Sequence, residues 1–158
     1  MCAAAVETAL NATEPPPAAV TGPNTPAEVV DEFLRLVMIP DPASASRYTA
    51  PGMRITFTGG RAMHGPADTT AFNKARYKWV KKRIARTETV TLSTQAGAPG
   101  ETVVYSLGTL HGEWPDGTPF EGNRYVDRYV VRDGLITEMD VWNDSAEWML
   151  VRAGLAVL

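Results

Sequence analysis

His111 and Asp127 are the two side chains in this sequence best suited to moving a proton inside a cavity. Imidazole is the one side chain whose unperturbed pKa lies near neutrality, so in a partly dry site it takes up and returns a proton. Asp127 stands between Tyr125 and Tyr129. Buried among such walls, a carboxylate is pushed up by desolvation and becomes a base that works near neutral pH. Beside Arg54 or Arg76 the same carboxylate would be an ionised structural partner, and both readings stand at this level. His111 has a plain reading too, as a strand-end histidine bonded to backbone or water. Asn123, Asn143, Thr109 and Tyr125 offer hydrogen bonds that hold a carbonyl or hydroxyl, and the Tyr125 phenol could stabilise a developing enolate oxygen. Arg54 completes the candidate substrate-binding set.

A pair of strands has to bring these groups together. Residues 123–132 alternate, with Asn123, Tyr125, Asp127 and Tyr129 on one face and Arg124, Val126, Arg128 and Val130 on the other. Asp133-Gly134 turns this strand into a second one over 135–141, and Asn143-Asp144-Ser145 opens a terminal helix. Upstream, residues 102–114 read as a strand that ends in the turn Pro115-Asp116-Gly117. With the register taken from these turns, Tyr105, Leu107, Thr109, His111 and Glu113 face inward with Asn123, Tyr125 and Asp127. Met139, Val141 and Asn143 join them, while Glu138, Asp140 and Trp142 face outward. A one-residue bulge would exchange such sets.

The first half of the chain is mostly helical. Thr25-Pro26-Ala27-Glu28 is a capping box with proline at the first helical position, and Val29, Val30, Phe33, Leu34 and Val37 follow as an apolar stripe. Asp41-Pro42 starts a short second helix that runs through Tyr48 and is stopped by Pro51-Gly52. Residues 53–57 form a short strand, turned at Gly59-Gly60 toward 61–64. Gly65-Pro66-Ala67-Asp68 then opens a long helix whose period carries Phe72, Arg76, Trp79, Val80, Arg83 and Ile84. Its other face holds Lys74, Lys78, Lys81 and Lys82, a solvated basic surface. The Thr- and Val-rich stretch 87–95 is a strand, and 96–100 is a loop. Helices followed by a meander of strands make the class α+β. Trp79, Trp114, Trp142 and Trp148 suit core or subunit contacts better than the walls of a flat-ligand site. Tyr48 and Tyr77 are within reach of a cavity from the helices.

Composition narrows the function classes. A chain of 158 residues holds one domain with a real core. That domain is expected over 25–158, behind a flexible Ala/Pro-rich tail at 1–24 in which Pro15-Pro16-Pro17 forbids a continuous helix. The net charge of −3 and pI near 5.4 argue against a surface that tracks nucleic-acid phosphates. Cys2 is the single cysteine and His64 and His111 the only histidines, so neither an internal disulfide nor a Cys- or His-rich metal site is expected. No apolar run approaches the ~18 residues that span a bilayer. The first residues lack a basic start and an apolar centre, so a secretory signal is not expected either. The expected location is the cytoplasm, with no membrane partner.

The order of elements, the turn Arg132-Asp133-Gly134-Leu135-Ile136 and the ending Val141-Trp142-Asn143-Asp144 before Ala146-Glu147-Trp148-Met149-Leu150 resemble the SnoaL-like group of the nuclear-transport-factor-2-like superfamily. The resemblance covers residues 25–155. It implies a cone in which a strongly bent antiparallel sheet, cystatin-like in its wrap, encloses helices and leaves a deep apolar pocket. It also implies a homodimer through the outer sheet face. Members include polyketide cyclases, ketosteroid isomerases, limonene epoxide hydrolases, dehydratases and proteins without catalysis, so the fold leaves activity open. The Asp-Arg-Asp set of the epoxide hydrolases is missing, since Leu107 and Thr109 hold the comparable positions and the second Asp falls near Val141. The first helix also lacks the tyrosine of the ketosteroid isomerases. What remains is a cofactor-independent isomerase, cyclase or dehydratase acting by acid-base chemistry on a small apolar or aromatic carbonyl metabolite, with His111 and Asp127 as the pair. The alternative is a non-catalytic dimer that holds a hydrophobic ligand.

Overall fold

In a computed structural model, residues 25–92 and 101–157 are described. The tail 1–24, the end of the expected 87–95 strand and the 96–100 loop lie outside them. The first helix, α1 (Pro26–Met38), starts where the capping box places it. The Thr25 hydroxyl accepts from the Glu28 amide at 3.2 Å, and the Glu28 carboxylate accepts from the Thr25 amide at 2.9 Å. Asp41 caps the short α2 (Pro42–Ala45) by accepting from the Ser44 amide, and one 3-10 turn (Ser46–Tyr48) follows. Strand β1 (Thr49–Phe57) begins four residues earlier than the sequence suggests, because the chain passes through Pro51-Gly52 as an irregularity with Gly52 at φ 76°. β2 (Arg61–Met63) pairs back on β1.

The largest departure from expectation concerns the long helix. α3 (Pro66–Arg76) stops at Arg76, and the residues read as its second half form the 14-residue strand β3 (Trp79–Leu92). Tyr77 is extended at φ −131° and its ring packs against both Trp114 and Phe120, with centroids at 5.4 and 5.5 Å. One residue on, the Lys78 amide donates to the Glu113 carbonyl at 2.9 Å and begins a ladder that runs the length of β3. This long-range pairing outweighs a weak local helical period. The supposed basic face of that helix is accordingly split between a helix end and two faces of a strand.

β4 (Glu101–Glu113), β5 (Pro119–Arg132) and β6 (Leu135–Asn143) complete a six-stranded sheet in the order β2-β1-β6-β5-β4-β3. The β5–β6 turn is Asp133-Gly134, both residues at positive φ (51° and 75°) as a type I′ hairpin requires. All pairs are antiparallel except β1 with β6, which run parallel, so the sheet is mixed rather than wholly antiparallel. A Cβ on Gly108 or Gly112 of β4 would collide with the carbonyl oxygens of Arg83 or Trp79 on β3. Bare backbone at these two sites lets β3 close tightly against β4 where the sheet bends.

The apolar stripe of α1 packs into the concave face. Val30, Phe33 and Leu34 form one core with Val104, Tyr129, Ile136 and Val141. A second cluster, of Tyr77, Leu110, Trp114, Phe120 and Tyr125, is partly covered by Trp148 and Met149 of α4 (Ser145–Arg152). No helix among the described residues is long and apolar enough to cross a membrane.

Candidate active site

A cavity of about 640 Å³ lies between the concave face and helices α1 and α3. Phe33, Leu34, Val37 and Met38 of α1 form one wall, and Thr69, Asn73 and Lys74 of α3 form another. The sheet supplies Val80, Lys82, Leu110, Tyr125, Asp127 and Asn143. Most of this surface is apolar. On the sheet side it carries one charged pair, Lys82 with Asp127.

Asp127 is fully buried, and its Oδ2 accepts from the Tyr129 hydroxyl at 2.9 Å and from the Lys82 ammonium. The other oxygen, Oδ1, accepts no hydrogen bond from any described residue. Lys82 retains 15% side-chain exposure against none for Asp127, so Lys82 is the more accessible member of the pair. It lies 3.9 Å from the centre of the Tyr125 ring, whose π-face attracts a cation. The Tyr125 hydroxyl pairs with Ser106 Oγ at 3.0 Å. Burial pushes the Tyr125 phenol up to about 12, and burial followed by the Asp127 charge holds Tyr129 well above the usual phenol range, so both stay protonated as donors.

Of the residues singled out from sequence, Asp127, Tyr125 and Asn143 line this cavity. Asn143 is fixed by a 3.1 Å bond from the Ser145 amide to its Oδ1 and a 3.3 Å bond from its Nδ2 to Thr58. Asn123 is on the same face and buried, but it sits behind the wall, its Nδ2 donating to Ser145 Oγ at 3.4 Å. Tyr77 reaches the cavity from the end of α3 and donates to Ser145 at 2.7 Å.

His111, Thr109 and Arg54 do not meet the others. On β4 the inward residues are Val104, Ser106, Gly108 and Leu110, facing Tyr129, Asp127, Tyr125 and Asn123. Tyr105, Leu107, Thr109 and His111 occupy the outer face. The parity read from the Pro115-Asp116-Gly117 turn holds at the turn itself, where Glu113 pairs with Pro119 and His111 with Glu121. Between His111 and Leu110 the register slips, and Gly122, at φ 92°, is the unpaired residue on β5. That single bulge exchanges the faces. His111 stacks edge-on with Trp79, centroids 5.8 Å apart, away from the cavity. Arg54 is on the outer face of β1 in an exposed ion pair with Glu138. Asp127 is paired, but with Lys82 rather than with Arg54 or Arg76. Asp140 also faces outward, bound to Arg128 at 2.9 Å.

Lys82 is the residue that sequence reasoning missed, because it was assigned to a helix surface. Its signal is the alternation Val80, Lys82, Ile84, a lysine flanked at i±2 by apolar residues on a strand. The cluster gives an ammonium able to polarise a carbonyl, with a carboxylate behind it that can take a proton when the ammonium turns to a ligand.

Neither protein-family models nor curated proteins match this sequence. Solved structures do. An NTF2-like protein of unknown function from Burkholderia pseudomallei superposes with a TM-score of 0.60 at 16% identity, over 78% of this chain and 93% of that one. A loop-truncation variant of IdmH gives 0.60 at 20% identity, over 82% of this chain and 100% of that one. TerC, co-crystallised with polyporic acid, gives 0.58 at 14% identity, over 77% and 93% of the two chains. The fold of this chain is therefore NTF2-like.

Proposed function

We propose that this NTF2-like domain binds a small, largely apolar carbonyl compound and isomerises, cyclises or dehydrates it by proton transfer without a cofactor. The Lys82–Asp127–Tyr129 cluster, set in the wall of a mostly apolar cavity, is the observation that supports this reading. The carbonyl oxygen of the ligand accepts from Lys82, which exchanges its bond to Asp127 for one to the ligand. Asp127 then takes a proton from the carbon beside the carbonyl, and the enolate charge is held by the ammonium. Returning the proton to a different atom, or expelling a hydroxide equivalent as water, completes the reaction. His111 has no part in it.

The test starts from binding. A panel of polyketide-like aromatics, steroids, terpenoid epoxides and polyporic acid, the last chosen because TerC was co-crystallised with it, is screened by thermal shift, since a specific ligand raises apparent stability by mass action. With a binder in hand, Asp127→Asn should lose turnover by a factor of ~10²–10⁴, the usual contribution of a general base, while ligand affinity is kept. Full turnover in Asp127→Asn rules the mechanism out.

A second reading, a dimer that holds its ligand without changing it, is favoured by the complete burial of Asp127 behind Lys82. The outer face offers a surface for such a dimer in Trp142, which is 54% exposed, with Leu107 and Val126 on the same side. Recovery of every bound compound unaltered after long incubation would favour this reading, and a Trp142→Arg variant that runs as a monomer beside a dimeric parent would locate the interface.

A further inference from the structure

The charge around the cavity runs against the charge of the chain. The protein carries a net −3, yet the charged side chains lining the cavity are Lys74, Lys78, Lys81, Lys82 and the single carboxylate Asp127. Strand alternation turns Lys81 to the outer face, opposite His111. The other three differ in exposure and in partners. At the floor both Lys82 and Asp127 line the cavity, and Lys82 is the more accessible of the two, so a ligand first meets the positive member of that pair. Lys78 is 60% exposed and held by Glu113 at 2.8 Å, and this bond draws the Glu113 carboxyl below its usual range. At the rim, Lys74 on the last turn of α3 is exposed and makes no ion pair with any described residue. A cleft lined by one sign of charge with low-dielectric walls concentrates ligands of the opposite sign.

We infer that the ligand carries an anionic group, a carboxylate or a phosphate, which stays at the rim against Lys74 while its apolar body fills the cavity. This rests on the ligand-binding reading above and narrows its substrate class. An apolar body suits Phe33, Leu34 and Leu110, and the anion remains half-solvated, where pairing with an exposed ammonium carries little desolvation cost.

The full chain is titrated calorimetrically with 2-naphthoate, 2-naphthyl phosphate and neutral methyl 2-naphthoate, in about 0.01 M and about 1 M salt, where the Debye length falls from ~30 to ~3 Å. At low salt one or both anions should bind up to about fivefold tighter than the ester, the scale of an exposed ion pair, and the advantage should vanish at high salt. Whichever anion gains more identifies the head group. Lys74→Gln should abolish the advantage and leave ester affinity unchanged. An ester that binds as well as both anions, or a Lys74→Gln variant that weakens all three compounds equally, overturns the anionic class and leaves the cavity reading intact. If none of the three compounds binds, both fall.

Discussion

Lys82 with Asp127 on the concave face and Arg54 with Glu138 on the convex face are the same kind of pair, a cation and a carboxylate bridging neighbouring or near-neighbouring strands. Their surroundings differ entirely. The inner pair is 15% and 0% exposed, the outer 75% and 35%. In water an ion pair replaces hydration it already had, whereas inside the sheet each partner is the other's main compensation for lost solvent. The face of a strand on which a charge falls therefore decides whether the pair is dispensable.

The strongest test of that contrast removes one inner partner. Lys82→Met should cost ~3–5 kcal/mol in urea unfolding, because it leaves Asp127 buried without its cation. Adding Asp127→Leu should recover much of the loss, since the buried charge is then gone as well. A single-variant cost under ~1 kcal/mol would place Asp127 in contact with solvent after all and erase the distinction.

The phenols sharpen the contrast by pH. Tyr125 and Tyr129 have folded pKa values above the unfolded value near 10. The folded state thus holds its phenol protons more tightly, and stability that is whole below about pH 10 is lost as pH rises toward 12. Each phenol should remove about 1.4 kcal/mol per pH unit across that window. Urea midpoints measured from pH 9 to 11.5 read this slope, and Tyr125→Phe should flatten it. The smallest effect belongs outside: Arg54→Gln should change stability by no more than ~1 kcal/mol, and a larger loss would mean that the convex face is itself covered in solution.

How far the sequence showed this arrangement depended on whether local chemistry agreed with long-range pairing. The capping box of α1, the Asp133-Gly134 hairpin and the alternation Asn123, Tyr125, Asp127, Tyr129 were readable because each is fixed by residues a few positions apart. β3 was not, because its start depends on Tyr77 packing against Trp114 and Phe120, about 40 residues downstream. With β3 read as a helix, Lys82 appeared solvated when it is the cavity's principal cation. The parallel β1–β6 pairing was hidden for the same reason. His111 and Thr109 failed for a subtler one: the turn gave the right parity, and Gly122 cancelled it within four residues.

Gly122 has a consequence for how this molecule could change. Point substitutions elsewhere alter the cavity one side chain at a time, but a residue at 122 that could not hold φ 92° would close the bulge and rotate a whole segment of wall. With an unbroken register, either His111 and Thr109 would turn into the hollow or Asn123, Tyr125 and Asp127 would turn out of it. A single-codon substitution at this position could therefore bring the His111 imidazole into the hollow or take the Asp127 carboxylate out of it in one step, with every other residue of the scaffold kept.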